Sequence, residues 1–235
     1  AKQGQAMWDF KRYAIYYAPE PGPLAAFGAA WLGWDPVAGQ EVAHPALAAL
    51  PRPAAELTRT PRKYGFHGTI KPPFRLADRQ SAEALHEAAQ ALCARLAPVT
   101  LEGLELSRLG SFLALTPRGE TDALAALAAC VVKELDPFRA LPSEAEIARR
   151  NPDRLSPAQR ALLEKWGYPY VLEEFRFHLT LTGRLSARDA ADTEAALAPV
   201  LAPLLPVPFR VDSLCLFGEA EDGRFHLLHR YTLSG

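Results

Sequence analysis

The chain has 235 residues, 49% of them apolar and 23% charged, a composition expected of a soluble globular protein able to bury a core as one large domain or two lobes. Its formal net charge of -1 supplies no global field for long nucleic acid or an anionic membrane, so any phosphate recognition must come from a local cluster. No stretch reaches the roughly 20 apolar residues of a membrane-spanning helix. Cys93, Cys130 and Cys215 are scattered in apolar surroundings, the usage of reduced cytoplasmic thiols rather than of a disulfide frame or a zinc site.

Residues 1–6 have no apolar h-region and so do not read as a signal peptide; they read as a vector-derived scar, with Met7 the natural start. Arg12–Tyr17, aromatic and β-branched, predicts a strand stopped by Pro19 and Pro21. Residues 23–32 predict a short helix ending at Gly33, beyond which Asp35-Pro36 turns the chain. Residues 37–60 are proline-rich with weak periodicity and read as a loop, with at most one helical turn near 45–50; either a lid or a surface loop fits this pattern. A strand follows over 64–71, ended by Pro72-Pro73. Ser81 is the expected N-cap of a helix to Ala97, with Leu85, Leu92 and Leu96 buried. Val99–Leu106 and Ser111–Thr116 predict a hairpin, and Thr121 the cap of a helix burying Leu124, Leu127, Val131 and Leu135. The connector 136–170 holds a capping box with proline at the first helical position, Ser156-Pro157-Ala158-Gln159, and a helix to Gly167. A strand over 175–183, a helix from Ser186 to about Ala202 and strands 207–217 and 225–233 complete the chain.

Two of these strands carry the chemistry. Side chains alternate faces along a strand. In Phe175–Gly183 this separates Phe175, Phe177, Leu179 and Leu181 from Arg176, His178, Thr180 and Thr182. In Tyr64–Lys71 it separates Phe66, Gly68 and Ile70 from His67, Thr69 and Lys71. Each polar face thus holds His-x-Thr and a cation. Each motif is followed by helix, strand, turn, strand, and His67 precedes Leu106 by 39 residues while His178 precedes Leu216 by 38. The matched order suggests two similar lobes, about 12–135 and about 171–235, related by a pseudo-twofold axis that sets the two histidine strands facing across a groove.

Imidazole both accepts and donates protons near neutral pH. A histidine on each side of a phosphodiester lets one deprotonate the attacking oxygen while the other protonates the leaving oxygen. Thr69 and Thr180 can donate to non-bridging phosphoryl oxygens, and Lys71 and Arg176 can hold an anionic end of the substrate. Tyr13, Tyr16 and Tyr64, and the run from Trp166 to Tyr170, flank the expected groove; stacking on a base or sugar competes there with ordinary core packing. His44, His86, His226 and His229 read as structural or exposed, and neither motif has the neighbouring ligands a catalytic zinc needs. GxGxxG, Walker and G-x-S-x-G signatures are missing from the sequence.

His67-Gly68-Thr69 and His178-Leu179-Thr180 resemble the paired H-x-[ST] motifs of the two-histidine (2H) phosphoesterase superfamily, and Tyr13–Tyr16 resembles its opening strand. Arg12–Pro19, Arg62–Phe74 and Trp166–Gly183 are similar to a bacterial branch associated with phosphonate-utilisation operons. The resemblance implies a bilobal α+β fold over 7–235, with antiparallel sheet and outer helices around a central groove. It implies His67 and His178 as the acid/base pair, and Thr69 and Thr180 as phosphate ligands. It also implies cofactor-free, metal-independent cleavage of a small ribose-derived cyclic phosphodiester. RNA 2',3'-cyclic phosphodiesterase or 2'-5' ligase-like activity on nucleotide termini is the alternative substrate reading, and a non-catalytic phosphometabolite-binding module the alternative to an enzyme. Gly68 departs from the apolar residue usual between His and Thr, which points to a loosened strand or the close approach of another backbone.

Overall fold

The structure, a computed structural model, describes residues 9–235; the expected scar and Met7 lie outside them. In chain order the elements are β1 (Arg12–Tyr17), α1 (Pro23–Leu32), β2 (Trp34–Asp35), β3 (Gln40–Glu41), α2 (Ala54–Leu57), β4 (Gly68–Phe74), α3 (Ala82–Arg95), β5 (Val99–Leu101) and β6 (Gly103–Leu109). Then come β7 (Phe112–Arg118), α4 (Asp122–Glu134), α5 (Glu144–Ala148), α6 (Pro157–Trp166), β8 (Leu179–Thr180), α7 (Ala187–Leu201), β9 (Phe209–Val211), β10 (Ser213–Glu219) and β11 (Phe225–Thr232). This is the expected α+β class. Its centre is a seven-stranded sheet in the order β11-β10-β1-β4-β8-β7-β6, antiparallel at every pairing.

The two motif strands, β4 and β8, are neighbours in the middle of that sheet. Each half of the sheet takes its hairpin from the other half of the chain. The β6-β7 hairpin follows the first motif but stands beside β8, and β10-β11 follows the second but reaches β4 through β1. The helices cross likewise: α3 packs on β10 and β11, and α7 on β6 and β7. The halves of the sheet are therefore not the contiguous segments 12–135 and 171–235. Strands β5 and β9 pair with one another as a small second sheet.

Alternation along β1 shows how the faces are used. Tyr13, Ile15 and Tyr17 join the main core under α3, α4 and α7, while Ala14, Tyr16 and Ala18 join Cys215, Phe217 and Phe225 on the opposite face. The single turn of α2 lies at Ala54–Leu57, not near 45–50, and buries Ala54 and Leu57 in the core. The strand β4 runs through Pro72 and Pro73 to Phe74 instead of stopping before them. Its pairing with β1 shifts register between Tyr13–Phe74 and Ile15–Lys71, so the prolines fall in an irregularity where ladder donors are not required. Only Leu179–Thr180 of the nine-residue segment 175–183 forms a ladder, although Phe177, Leu179 and Leu181 are all buried as the alternation requires. Ser81, Ser156 and Ser186 cap their helices as expected, with a full capping box at Ser156, whereas Thr121 makes no side-chain cap bond. Cys93, Cys130 and Cys215 are free thiols.

Gly68 has a packing reason. A Cβ added there would lie 2.5 Å from Phe177 Cζ, so the intruding group is a ring of the partner strand rather than a backbone. Gly68→Val should therefore destabilise by about 1–3 kcal/mol, the usual cost of overpacking, despite valine's preference for strands. Thermal unfolding checks this. In combination with Phe177→Ala the two losses should sum to more than the double variant shows.

Candidate active site

The pairing of Gly68 with Leu179 is the local centre of the site. In an antiparallel ladder, stepping one residue outward on both strands sets His67 opposite Thr180 and Thr69 opposite His178, all four on one face. Directly opposed side chains have Cβ atoms about 4.5–5.5 Å apart, and diagonal neighbours such as His67 and His178 stand about 7–8 Å apart. A single tetrahedral phosphorus fits between groups at that spacing.

Backbone carbonyls two residues upstream hold both rings. His67 Nδ1 lies 2.9 Å from Gly65 O, and His178 Nδ1 lies 2.8 Å from Arg176 O. A carbonyl only accepts, so Nδ1 carries the hydrogen in both rings and each neutral imidazole keeps the Nε2 lone pair. His67 Nε2 is 3.2 Å from Thr69 Oγ1. The rings differ in surroundings. Tyr16 stacks on His67 at 3.9 Å between centroids, with Tyr64 5.8 Å and Phe217 6.3 Å away. Burial pushes the His67 imidazole down to about 4; the Gly65 carbonyl opposes this shift and the nearby His178 adds to it. His67 is neutral at pH 7.

A cleft of about 230 Å³ opens over this face, lined by His67, Thr69, Thr180, Tyr64, Tyr168 and Arg150 among others. Arg12 also lines it, held in an ion pair with Glu219. Arg150 lies over the Tyr168 ring at 4.7 Å. Burial raises the Tyr16 and Tyr168 hydroxyl pKa values, so both phenols stay protonated.

Of the expected site residues, His67, Thr69, Thr180 and Tyr64 line the cleft, and His178 stands beside it on the same face. Three others do not join them. Tyr13 packs in the opposite core, since it and Tyr16 are three apart on one strand and cannot share a face. Lys71 is buried beneath α4, its Nζ 3.4 Å from Val132 O and 5.0 Å from the Phe74 ring centroid, and burial pushes its ammonium down to about 8. Arg176 is exposed and donates through Nη1 to its own neighbour's carbonyl, Phe175 O, at 2.8 Å; its backbone, not its guanidinium, serves the site. Thr182 is structural as well, accepting from Leu113 N at 3.0 Å. Counting back by twos from Tyr16 would have found Arg12, but nothing in the connector's pattern marks Arg150. Among the described residues no group of three or more His, Cys, Asp or Glu is placed to hold a metal ion.

Residues 69–226 match the family described as "Protein of unknown function (DUF1045)". Two curated relatives carry the name "Ribose 1,5-bisphosphate phosphokinase PhnN". The one from Janthinobacterium sp. (strain Marseille) is 37% identical over 218 residues, 90% of this chain and 48% of that protein. The one from Laribacter hongkongensis (strain HLHK9) is 35% identical over 213 residues, 90% of this chain and 49% of that protein. The chain spans about half the length of these relatives. Among solved structures, E. coli LigT complexed with NADP+ aligns over 97% of this chain and 99% of its own at 14% identity, with a TM-score of 0.45.

The burial of His67 has a measurable consequence. An NMR titration should place its midpoint near 4, below the ordinary histidine value of about 6.5. Tyr16→Ala, which admits water to one ring face, should raise that midpoint toward 6.5.

Proposed function

This chain belongs to the DUF1045 family, and we propose that it is a two-histidine cyclic phosphodiesterase acting, without a metal, on a small ribose-derived metabolite of phosphonate catabolism. The observation that carries the reading is the antiparallel register at Gly68 and Leu179, which gathers both His-x-Thr motifs on one face, with His67, Thr69 and Thr180 lining one cleft and His178 beside it.

In this mechanism water attacks the phosphorus of the cyclic diester. His67, neutral and with Nε2 unprotonated, removes the water proton as the new P–O bond forms. The ring P–O bond breaks, and His178 in its imidazolium form gives the Nε2 proton to the departing sugar oxygen. The product is a phosphomonoester, and the two histidines exchange protonation states, to be reset through solvent. The charge that builds on the non-bridging oxygens is met by the Thr69 and Thr180 hydroxyls and by Arg150. Tyr64 and Tyr168 bound the cleft and offer apolar walls to a sugar.

Three considerations favour a small substrate. The cleft is compact, the chain's net charge is -1, and the curated relatives are named for a ribose bisphosphate. The kinase part of that name is not transferred, since the phosphate-cradling G-x-x-x-x-G-K-[ST] loop is missing from this sequence.

His67→Ala and His178→Ala should each cut turnover of a ribose cyclic phosphate by about 10²–10⁴, with the fold retained by circular dichroism and no change on adding EDTA to the wild type. Phosphorus NMR of the products reads the reaction. Full activity in either variant would sink the mechanism, and preference for oligonucleotide 2',3'-cyclic phosphates over sugar cyclic phosphates would reassign the substrate. The acid limb of kcat/KM should fall near pH 4, because activity is lost only as His67 becomes protonated.

A further inference from the structure

One wall of the catalytic cleft is built by the segment 54–65, which leads into the first motif and carries a side chain that the mechanism above does not use. Ala54 and Leu57 are buried in the core, and Leu57 O accepts from Gly183 N at 2.9 Å, which ties the segment to the end of the second motif strand. Thr58 is fully buried; its hydroxyl donates to Ala54 O at 2.7 Å and accepts from Arg62 Nη2 at 3.1 Å. Arg62 Nε donates to Leu32 O at 2.9 Å and Arg52 Nε to Asp189 Oδ2 at 2.8 Å, so α1 and α7 also hold it. Beyond Pro61, whose carbonyl accepts from Tyr64 N, the chain reaches Gly65, and the Gly65 carbonyl orients His67. A segment with this many buried contacts and tertiary hydrogen bonds is a fixed wall rather than a lid.

Thr60 stands on that wall. It is exposed, lines the cleft together with His67, Thr69 and Thr180, and places its Oγ1 3.1 Å from where a Cβ on Gly183 would lie. Among the described residues its hydroxyl has no protein hydrogen-bond partner, unlike that of Thr58 two positions earlier. A hydroxyl donates and accepts and carries no charge. With Thr69 and Thr180 given to the non-bridging phosphoryl oxygens, the third hydroxyl is left for a neutral polar group beside the phosphorus. We propose that Thr60 is a specificity-determining residue that hydrogen-bonds a free ring hydroxyl of the sugar next to the cyclic diester. This rests on the phosphodiesterase reading above and deepens it. The wall is already held by Leu57, Thr58 and Arg62, so little chain freedom is lost when the contact forms, and a sugar lacking that hydroxyl leaves Thr60 unpaired.

The test compares a ribose cyclic phosphate with its analogue in which the free hydroxyl next to the cyclic diester is replaced by hydrogen. In the wild type the analogue should lose about three- to tenfold in kcat/KM, the worth of one neutral hydrogen bond. Thr60→Val keeps the shape and removes the hydroxyl; it should lower kcat/KM for the parent compound alone and erase the preference, while Thr60→Ser should retain it. Equal losses on both compounds in Thr60→Val, or an unchanged preference, overturn the proposal. Calorimetric titration of the same two compounds into His67→Ala reads the preference without turnover. A preference seen there and erased in His67→Ala/Thr60→Val supports the contact even if the wild type releases no product, in which case only the phosphodiesterase reading fails. Turnover of both compounds by the wild type without preference overturns the role of Thr60 and leaves the histidine chemistry standing.

Discussion

One pairing, Gly68 with Leu179, holds the two halves of the sheet in register, and the chemistry of the cleft depends on it. The side-chain period of a strand is two, so a slip of one residue would turn His178 and Thr180 into the core and Phe177 and Leu179 toward solvent. What forbids the slip is the buried face. Phe177, Leu179 and Leu181 are at most 6% exposed, and the Phe177 ring occupies the space that a side chain at position 68 would need. The glycine between His67 and Thr69 and the phenylalanine before His178 are thus two parts of one contact. The motif residues themselves contribute little to this specification; the apolar residues between them set where the polar ones point.

The parts of the fold that were legible in the sequence are those decided by local physics. Alternation separated the apolar and polar faces of both motif segments, and serine caps with periodic leucines placed α3, α6 and α7. What stayed hidden depends on partners distant in the chain. Only two residues of the 175–183 segment form a ladder, since β7 and β4 pair with it in register at Leu179 and Thr180 alone, while Leu181 and Thr182 both donate to the one carbonyl of Leu113. Pro72 and Pro73 looked like a stop, but β1 accommodates them by a shift of register. The exchange of hairpins between the sheet halves leaves no local trace, because each hairpin has the same pattern whichever strand it adjoins.

The site divides in the same way. His67, Thr69, His178 and Thr180 were recoverable because two identical short motifs at matched positions are improbable by chance. Lys71 and Arg176 missed the cleft for different reasons: the register shift that pairs Lys71 with Ile15 turns it under α4 on the core face, and Arg176 lies beyond the end of a two-residue ladder. Arg150 reaches the cleft from an irregular connector, where neither period two nor period 3.6 applies, and only its contact with Tyr168 reveals it.

The near-symmetry of the two motifs makes the difference between the histidines informative. Both rings have Nδ1 tied to the carbonyl two residues upstream, so their tautomers are alike. Surroundings alone separate them: Tyr16, supplied by β1, stacks on His67, whereas among the described residues the ring contact at His178 is Phe112, 5.8 Å away. A histidine whose folded-state pKa is lowered to about 4 binds fewer protons than its unfolded counterpart between pH 4 and 6.5. The native state therefore loses stability as the pH falls through that window, and loses none of it at neutral pH, where both states are unprotonated. Burying His67 under Tyr16 consequently carries no protonation-linked cost at pH 7 and keeps that imidazole neutral there. In the mechanism proposed above, the division of two like motifs into a base and an acid follows from β1, which lies beside β4 and not beside β8.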